Sequence, residues 1–338
     1  MEGFCAESCG RCGGGAGGDA ETRGFLSRRG KHLYLNGQRY VGIGFNAYGL
    51  SGCERQKPYS DEELDQYFGN LRENGLTRTW AAEPQGFEPL PRIVAAAEKH
   101  KQLLILSLGN ALNDCGDDEG VPPNGHGKDK SWYVSGYRVK YLPWVRKVVS
   151  AFKDSKAIGM WEIMNEPAHD PKYATPADNQ TMRSFFDAVA AEIKAIDPHH
   201  LVETGTVAEY VKGTTDFALV HGGPDVDVGS LHEYDYDDSN KAIISYHFGP
   251  TLAALLSLDK PLLVAETGIK ANDGPGCTDR QTRAAAFKQK LDGYLKGGAA
   301  GVLLWNWHGT KNNDCRYETI YPGDPTVSMV RDYVVPPL

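Results

Sequence analysis

Two glutamates in this chain stand where an apolar run gives way to a polar segment. Glu166 lies near the end of Ala157-Ile-Gly-Met-Trp-Glu-Ile-Met-Asn-Glu-Pro167, and Glu266 follows the apolar part of Pro261-Leu-Leu-Val-Ala-Glu-Thr-Gly268. Paired carboxylates of this kind can split a glycosidic bond with retention. One acts as acid and then base at the leaving oxygen, and the other attacks the anomeric carbon from the opposite side. Glu162 is an internal contrast. By two-residue alternation it shares the facing of Glu166 but lies deeper along the strand, where a structural role is expected.

The carboxylates need a frame that collects strand ends. Apolar runs at residues 40–46, 76–80, 103–108, 158–165, 201–206, 228–232, 262–266 and 301–305 read as eight strands. Helical patterns lie between them. The clearest is Asn179 to Ile196, with Met182, Phe185, Phe186, Val189, Ile193 and Ile196 on one face and Pro198 ending the run. Asp61 is the expected N-cap before Glu62-Glu63-Leu64. Eight such units predict an α/β fold of the (β/α)8 TIM-barrel type, with its site at the C-terminal strand ends. A doubly wound open sheet usually carries G-x-G-x-x-G after its first strand, and Ala47-Tyr-Gly-Leu-Ser-Gly-Cys53 does not match it. The strand ends of the barrel would bring together Asn46, Arg78, Trp80, Asn110, Asn165, Glu166, His232, Tyr234, Glu266, Trp305 and Trp307.

Bulk properties narrow the ligand. The chain has 338 residues, 41% of them apolar, and a net charge of −8 from 44 acidic against 36 basic side chains. That balance disfavours a phosphate-binding surface and nucleic acid. The apolar runs are too short to span a membrane. Of the seven cysteines, Cys53, Cys115, Cys277 and Cys315 fit no zinc spacing, and Cys9-x-x-Cys12 is at most a metal half-site. Cys53, Cys115, Cys277 and Cys315 fall in Gly/Asp/Asn-rich segments, and two disulfides between neighbouring loops, Cys53 with Cys115 and Cys277 with Cys315, are expected in a secreted protein. Residues 1–24, with Cys5, Cys9, Cys12 and the glycines at 13–15 and 17–18, read as a disordered Cys/Gly-rich tail or linker that weakly resembles the end of a ShK-toxin-like domain. No charged-then-apolar leader stands before it, so a secreted chain would begin after one had been removed. Residues 25–338 then form a single catalytic domain. His232, His247 and His308 show neither His-x-His nor His-Glu-x-x-His spacing, so no metal and no cofactor is expected.

The ordered set Gly44-Phe-Asn-Ala-Tyr48, Arg78-Thr-Trp80, Leu106-Ser-Leu-Gly-Asn110, Trp161-Glu-Ile-Met-Asn-Glu-Pro167, His232-Glu-Tyr234, Glu266-Thr-Gly268 and Trp305 resembles glycoside hydrolase family 5, of the retaining clan A, from about Leu33 to the C-terminus. Within it, the endo-β-1,4-mannanase group is the most similar. The resemblance implies Glu166 as acid/base and Glu266 as nucleophile. It places Arg78 beside the nucleophile, Tyr234 as a hydrogen-bond donor to Glu266 with His232 on the same wall, Asn165 on the sugar 2-hydroxyl and Trp305 as the floor under the sugar. Arg78 would favour the charged form of Glu266, whose charge would in turn keep the proton on Glu166. Asn46, Trp80 and Asn110 complete the expected substrate-binding set. Trp80, Trp132 and Trp307 either extend the platform or belong to the core.

One departure concerns the third strand, where the mannanase group usually has Asn-Trp and this chain has Asn110-Ala-Leu112. The following segment, residues 113–128, is a long polar loop of the kind that is often functional. It could narrow the cleft towards exo action or transglycosylation; its acidic cluster lacks calcium-loop spacing and reads as solvated. The implied substrate is a β-linked oligo- or polysaccharide, β-1,4-mannan first, bound by a monomer. β-Glucan with the same machinery and a non-catalytic carbohydrate-binding barrel are the alternatives. Asn179-Gln-Thr181 is an N-glycosylation acceptor sequence.

Overall fold

The computed structural model describes residues 24–51, 58–74, 78–81, 86–112, 120, 127–167, 178–207, 211, 213–237 and 240–336, with the backbone alone at 78–81. Three short strands come first, β1 (Ser27–Arg29), β2 (His32–Leu35) and β3 (Gln38–Tyr40). They pair antiparallel as a meander. The barrel strands follow: β4 (Gly42–Ala47), β5 (Arg78–Ala81), β6 (Leu103–Ser107), β7 (Ile158–Glu162), β8 (Leu201–Glu203), β9 (Gly229–Glu233), β10 (Leu262–Gly268) and β11 (Gly301–Trp305).

These eight strands pair in parallel in the order β8-β7-β6-β5-β4-β11-β10-β9. Parallel bridges Glu203 to Val228 and Val207 to His232 join β8 to β9 and close the ring. The expected (β/α)8 barrel is therefore the fold. Its strands are apolar almost throughout because both faces are covered, the interior by side chains and the exterior by helices.

Helices fill the outer layer: α1 (Asp61–Glu73), α2 (Leu90–Lys99), α3 (Lys130–Val134), α4 (Tyr141–Phe152), α5 (Asn179–Ile196), α6 (Gly213–His221), α7 (Phe248–Ser257), α8 (Arg280–Gly297) and α9 (Pro325–Arg331). α5 has the bounds its pattern predicts. Asp178 caps it by accepting from the Thr181 N–H, and it buries Met182, Phe185, Phe186, Val189, Ala190 and Ile193. Phe185 meets Trp132, Tyr133, Tyr137 and Tyr141, and truncating it to alanine would cost about 3–5 kcal/mol. The N-cap of α1 is Ser60 rather than Asp61. Ser60 Oγ accepts from the Glu63 N–H at 3.2 Å while Glu63 accepts from the Ser60 N–H at 2.7 Å. Serine reaches the third amide, which leaves Asp61 in the first turn to favour the helix dipole.

The meander is absent from the expectation, since its strands of three or four residues carry little periodic signal. Its Leu26 and Leu33 pack with Met160, Leu201, Val228, Leu263 and Leu303, so it plugs the end of the barrel opposite the site. Arg28 fastens it there by pairing with Asp227 at 3.1 Å and donating to the Asp259 carbonyl. Cys277 and Cys315 form the expected disulfide, joining the loop after β10 to the loop after β11. Cys53 with Cys115, the tail cysteines, and residues 113–119 and 121–126 of the long loop lie outside the described residues.

Candidate active site

A cavity of about 440 Å³ opens at the C-terminal strand ends, lined among others by Asn165, Glu166, His232, Tyr234, Glu266 and Trp305. Six residues expected at the site thus come together from four strands.

Glu166 sits four residues past the end of β7 with a φ of 45°, a left-handed conformation that is uncommon outside glycine. The backbone around it is held on both sides. Its N–H donates to the Gly205 carbonyl at 2.9 Å, and Asn165 exchanges backbone hydrogen bonds with Gly109 and Ala111. The turn throws the carboxyl towards the cavity, where the side chain is 21% exposed. Glu266 is aimed differently. The ladders of β10 with both β9 and β11 shift register just after Val264. Such an irregularity re-aims the side chain that follows it.

His232, the fourth residue of β9, stands between the two carboxyls. Its Nδ1 lies 3.3 Å from Glu166 Oε1 and 3.4 Å from Glu266 Oε1. One oxygen from each carboxyl and one ring nitrogen all fall within 4.8 Å of one another. Tyr234 donates its hydroxyl to Glu266 Oε2 at 2.6 Å. Its ring packs edge-on against Tyr317 at 5.0 Å, over Gly268, where an added Cβ would stand 2.3 Å from the Tyr234 ring.

Electrostatics follow from this packing. Burial pushes the Glu266 carboxyl up to about 8; the charge of Glu166 adds to this, while His232 and the Tyr234 hydroxyl pull the other way. Burial alone would lower His232, but the charges of Glu266 and Glu166 outweigh it and raise the imidazole to about 9. Glu266 and His232 therefore titrate together, and the site retains a proton beside the imidazolium near neutrality. Arg78, expected as the cation favouring ionised Glu266, has its side chain outside the described residues; among the described residues His232 acts in that sense. The Glu166, His232 and Glu266 atoms also have the spacing of a cation site. A protonated imidazole offers no lone pair on the nitrogen facing the carboxylates, so the donor set fits a proton better than a metal.

The other expected residues divide. Trp305 ends β11 at the cavity wall, its indole N–H donating to Glu318 Oε1 at 3.0 Å and its ring 5.4 Å from Tyr48. Asn165 lines the cavity and donates to Asn110 Oδ1 at 3.4 Å, so Asn110 orients a cavity residue without itself lining the wall. Asn46 is wholly buried and donates to the Ala265 carbonyl at 3.1 Å, tying β4 to the strand that carries Glu266. Trp80 is described only by its backbone, in register with Asn46. Trp132 and Trp307 are core residues: Trp132 packs on Phe185, and Trp307 on Phe45 and Tyr67. Tyr48, which opens a 3-10 turn directly after β4, and Tyr317 and Glu318, from the loop after β11, also line the cavity and are not among the expected site residues.

A family model described as Cellulase (glycosyl hydrolase family 5) matches residues 65–311. Among similar proteins, the probable mannan endo-1,4-beta-mannosidase F of Aspergillus flavus is 27% identical over 84% of this chain, and the chain spans 66% of that protein's length. Mannan endo-1,4-beta-mannosidase 1 of Solanum lycopersicum is 26% identical over 91% of this chain and 90% of its own. Among solved structures, the endo-1,4-beta-mannanase of Rhizomucor miehei superposes with a TM-score of 0.72 over 90% of this chain and 97% of its own, at 17% identity, which speaks to the fold. With the family model covering most of the barrel, the chain belongs to glycosyl hydrolase family 5.

Proposed function

We infer that this protein is a retaining β-glycosidase that cleaves β-1,4-mannan or manno-oligosaccharides by double displacement. The observation that carries the reaction type is the approach of Glu166 and Glu266 oxygens to within 4.8 Å. Carboxyls about 5 Å apart leave no room for an interposed water, so one of them must attack the sugar itself; an inverting pair stands about 6.5–9.5 Å apart.

Glu166, the more exposed carboxyl, donates a proton to the leaving oxygen. Glu266 attacks the anomeric carbon, with the Tyr234 hydroxyl and the His232 cation favouring its ionised form. In the second step, Glu166 takes a proton from a water whose oxygen attacks the anomeric carbon, breaking the bond to Glu266 and freeing its carboxylate. Asn165 Oδ1 has no hydrogen-bond partner among the described residues and suits a sugar hydroxyl, while Trp305 offers a ring face for stacking. Mannan as substrate is supported by the names of the Aspergillus and Solanum relatives. The Cys277 to Cys315 bridge supports a secreted protein. Residues 25–338 act as one catalytic unit, without need of a metal.

Product analysis over time with β-1,4-manno- and gluco-oligosaccharides, wild type against Glu266→Ala, tests this. The expected result is cleavage of the manno series with retained anomeric configuration, lost in the variant. Cleavage of the gluco series alone would move the substrate to β-glucan. Full activity of Glu266→Ala would overturn the nucleophile, and no turnover at all would leave a carbohydrate-binding barrel.

A further inference from the structure

Below the cavity, two glutamates that do not touch it lie side by side inside the barrel. Glu162 ends β7 and Glu203 ends β8, and the two are partners in the parallel ladder, so both side chains leave the same face. Both are wholly buried. The two carboxyls interact directly inside the barrel, and a buried pair cannot carry two charges, so one of them holds a proton.

The surroundings say which partner holds the proton. Glu203 Oε2 accepts from the Gly205 N–H at 2.6 Å. Burial raises Glu203 too, but Glu162, the Gly205 N–H, the Ser230 hydroxyl and the Thr204 N–H all pull it back towards a carboxylate. Glu162 has fewer such donors, with Ser107 beside it and His232 as the nearby cation, and burial with the Glu203 charge holds it well above the usual carboxylate range.

Gly205 links this pair to the cavity. Its carbonyl accepts the Glu166 N–H at 2.9 Å. It has a φ of 73°, and a Cβ there would lie 2.0 Å from the Met164 carbonyl oxygen, so the peptide fits only as glycine pressed against the Glu166 turn. Glu166 itself is in the left-handed region, a conformation that costs about 1–3 kcal/mol and persists only where neighbours hold it.

We propose that Glu203, with the proton of the pair carried on Glu162, is a positioning residue for Glu166: its carboxylate holds the Gly205 N–H, and the Gly205 carbonyl holds the backbone of the acid/base. The proposal rests on Glu166 as acid/base. Polarity makes it asymmetric. In Glu162→Gln the amide N–H₂ replaces the carboxyl O–H as donor to Glu203. In Glu203→Gln the amide cannot accept from Gly205, Thr204 and Ser230 and from the Glu162 O–H as well, and it sets a donor against a donor.

The experiment compares kcat/KM, which reports glycosylation, on mannohexaose and on a 2,4-dinitrophenyl β-manno-oligosaccharide, whose leaving group departs without an acid. Glu203→Gln is expected to lose roughly 10- to 100-fold on mannohexaose, the scale of a misplaced catalytic group, and less than about 3-fold on the dinitrophenyl substrate. Retained dinitrophenyl turnover also shows that the variant is folded. Glu162→Gln should stay within about 3-fold on both, since the hydrogen-bond polarity is kept. Equal losses on both substrates, no loss on either, or a Glu162→Gln defect matching that of Glu203→Gln would overturn the proposal. Should Glu203→Gln not fold, Glu203→Asp, which keeps the charge but withdraws it from Gly205, is read the same way. Glu166→Ala separates the two inferences: if it loses nothing selectively on mannohexaose, the acid/base assignment fails rather than the positioning.

Discussion

Replacing Tyr234 by phenylalanine removes one oxygen from the cavity and little else. The ring still packs against Tyr317 and over Gly268. What goes is the hydroxyl donating to Glu266 Oε2 at 2.6 Å. Burial and the Glu266 charge raise the tyrosine well above its ordinary range, so in the wild type it is always a donor. A hydrogen bond to a charged group contributes about 1.5–3 kcal/mol, and here it favours the ionised nucleophile over the protonated form. At about 1.4 kcal/mol per unit, the acidic limb of the kcat/KM profile should move up by roughly one to two pH units. At a pH on that limb, kcat/KM should fall about 10- to 150-fold. Initial rates on mannan from pH 4 to 9, with thermal unfolding as a control for packing, measure both. An unshifted limb with a rate within about 3-fold of wild type would refute the assignment of Tyr234 as the group favouring charged Glu266.

Gly268→Ala should imitate that loss by another route, since the new Cβ would stand 2.3 Å from the Tyr234 ring and push its hydroxyl off Glu266; steady-state kinetics on mannan should show kcat falling more than KM rises. Opening the Cys277 to Cys315 bridge, whose cysteines are separated by 38 residues, should lower unfolding free energy by about 2–4 kcal/mol, seen as a lower denaturant midpoint for Cys277→Ser/Cys315→Ser. Stability should also depend on pH in a defined sense. Glu266 and His232 bind their protons more tightly folded than unfolded, so their contribution is complete below 4.5 and 6.5 and is lost as pH rises through about 8 and 9. His221, held by burial to about 3, and Asp197, held to about 2 against burial by its bonds to His200 and Trp161, act oppositely and lose stability on acidification. Unfolding midpoints should therefore peak between about pH 4.5 and 6.5 and decline towards pH 9; a flat or rising profile from pH 6.5 to 9 would contradict these shifts.

What the sequence by itself determined was the frame. Buried parallel strands must be apolar along their whole length, so runs such as Leu103-Leu-Ile-Leu106 and Gly301-Val-Leu-Leu-Trp305 are visible without a structure, and their polar terminal residues follow. That local signal sufficed for Glu166, Glu266, His232, Tyr234, Asn165 and Trp305, which the barrel brings to one cavity. It overran at residues 163–165, because the ladder ends at Glu162 where the chain turns towards the left-handed Glu166. It missed the meander, whose strands are too short to show a period.

Tertiary structure alone decided the rest, since those facts depend on which strand lies beside which. The same strand-end logic that serves Glu166 also picks Asn46, which packing buries against Ala265. An aromatic type cannot separate Trp305, at the open end of its strand, from Trp132 and Trp307, which neighbouring helices and loops enclose. The register shift that turns Glu266 into the cavity arises from its pairing with two neighbours. The proton retained by the Glu162 and Glu203 pair exists only because β7 and β8 are adjacent and in register; residues far apart in the chain interact at a distance that no spacing encodes.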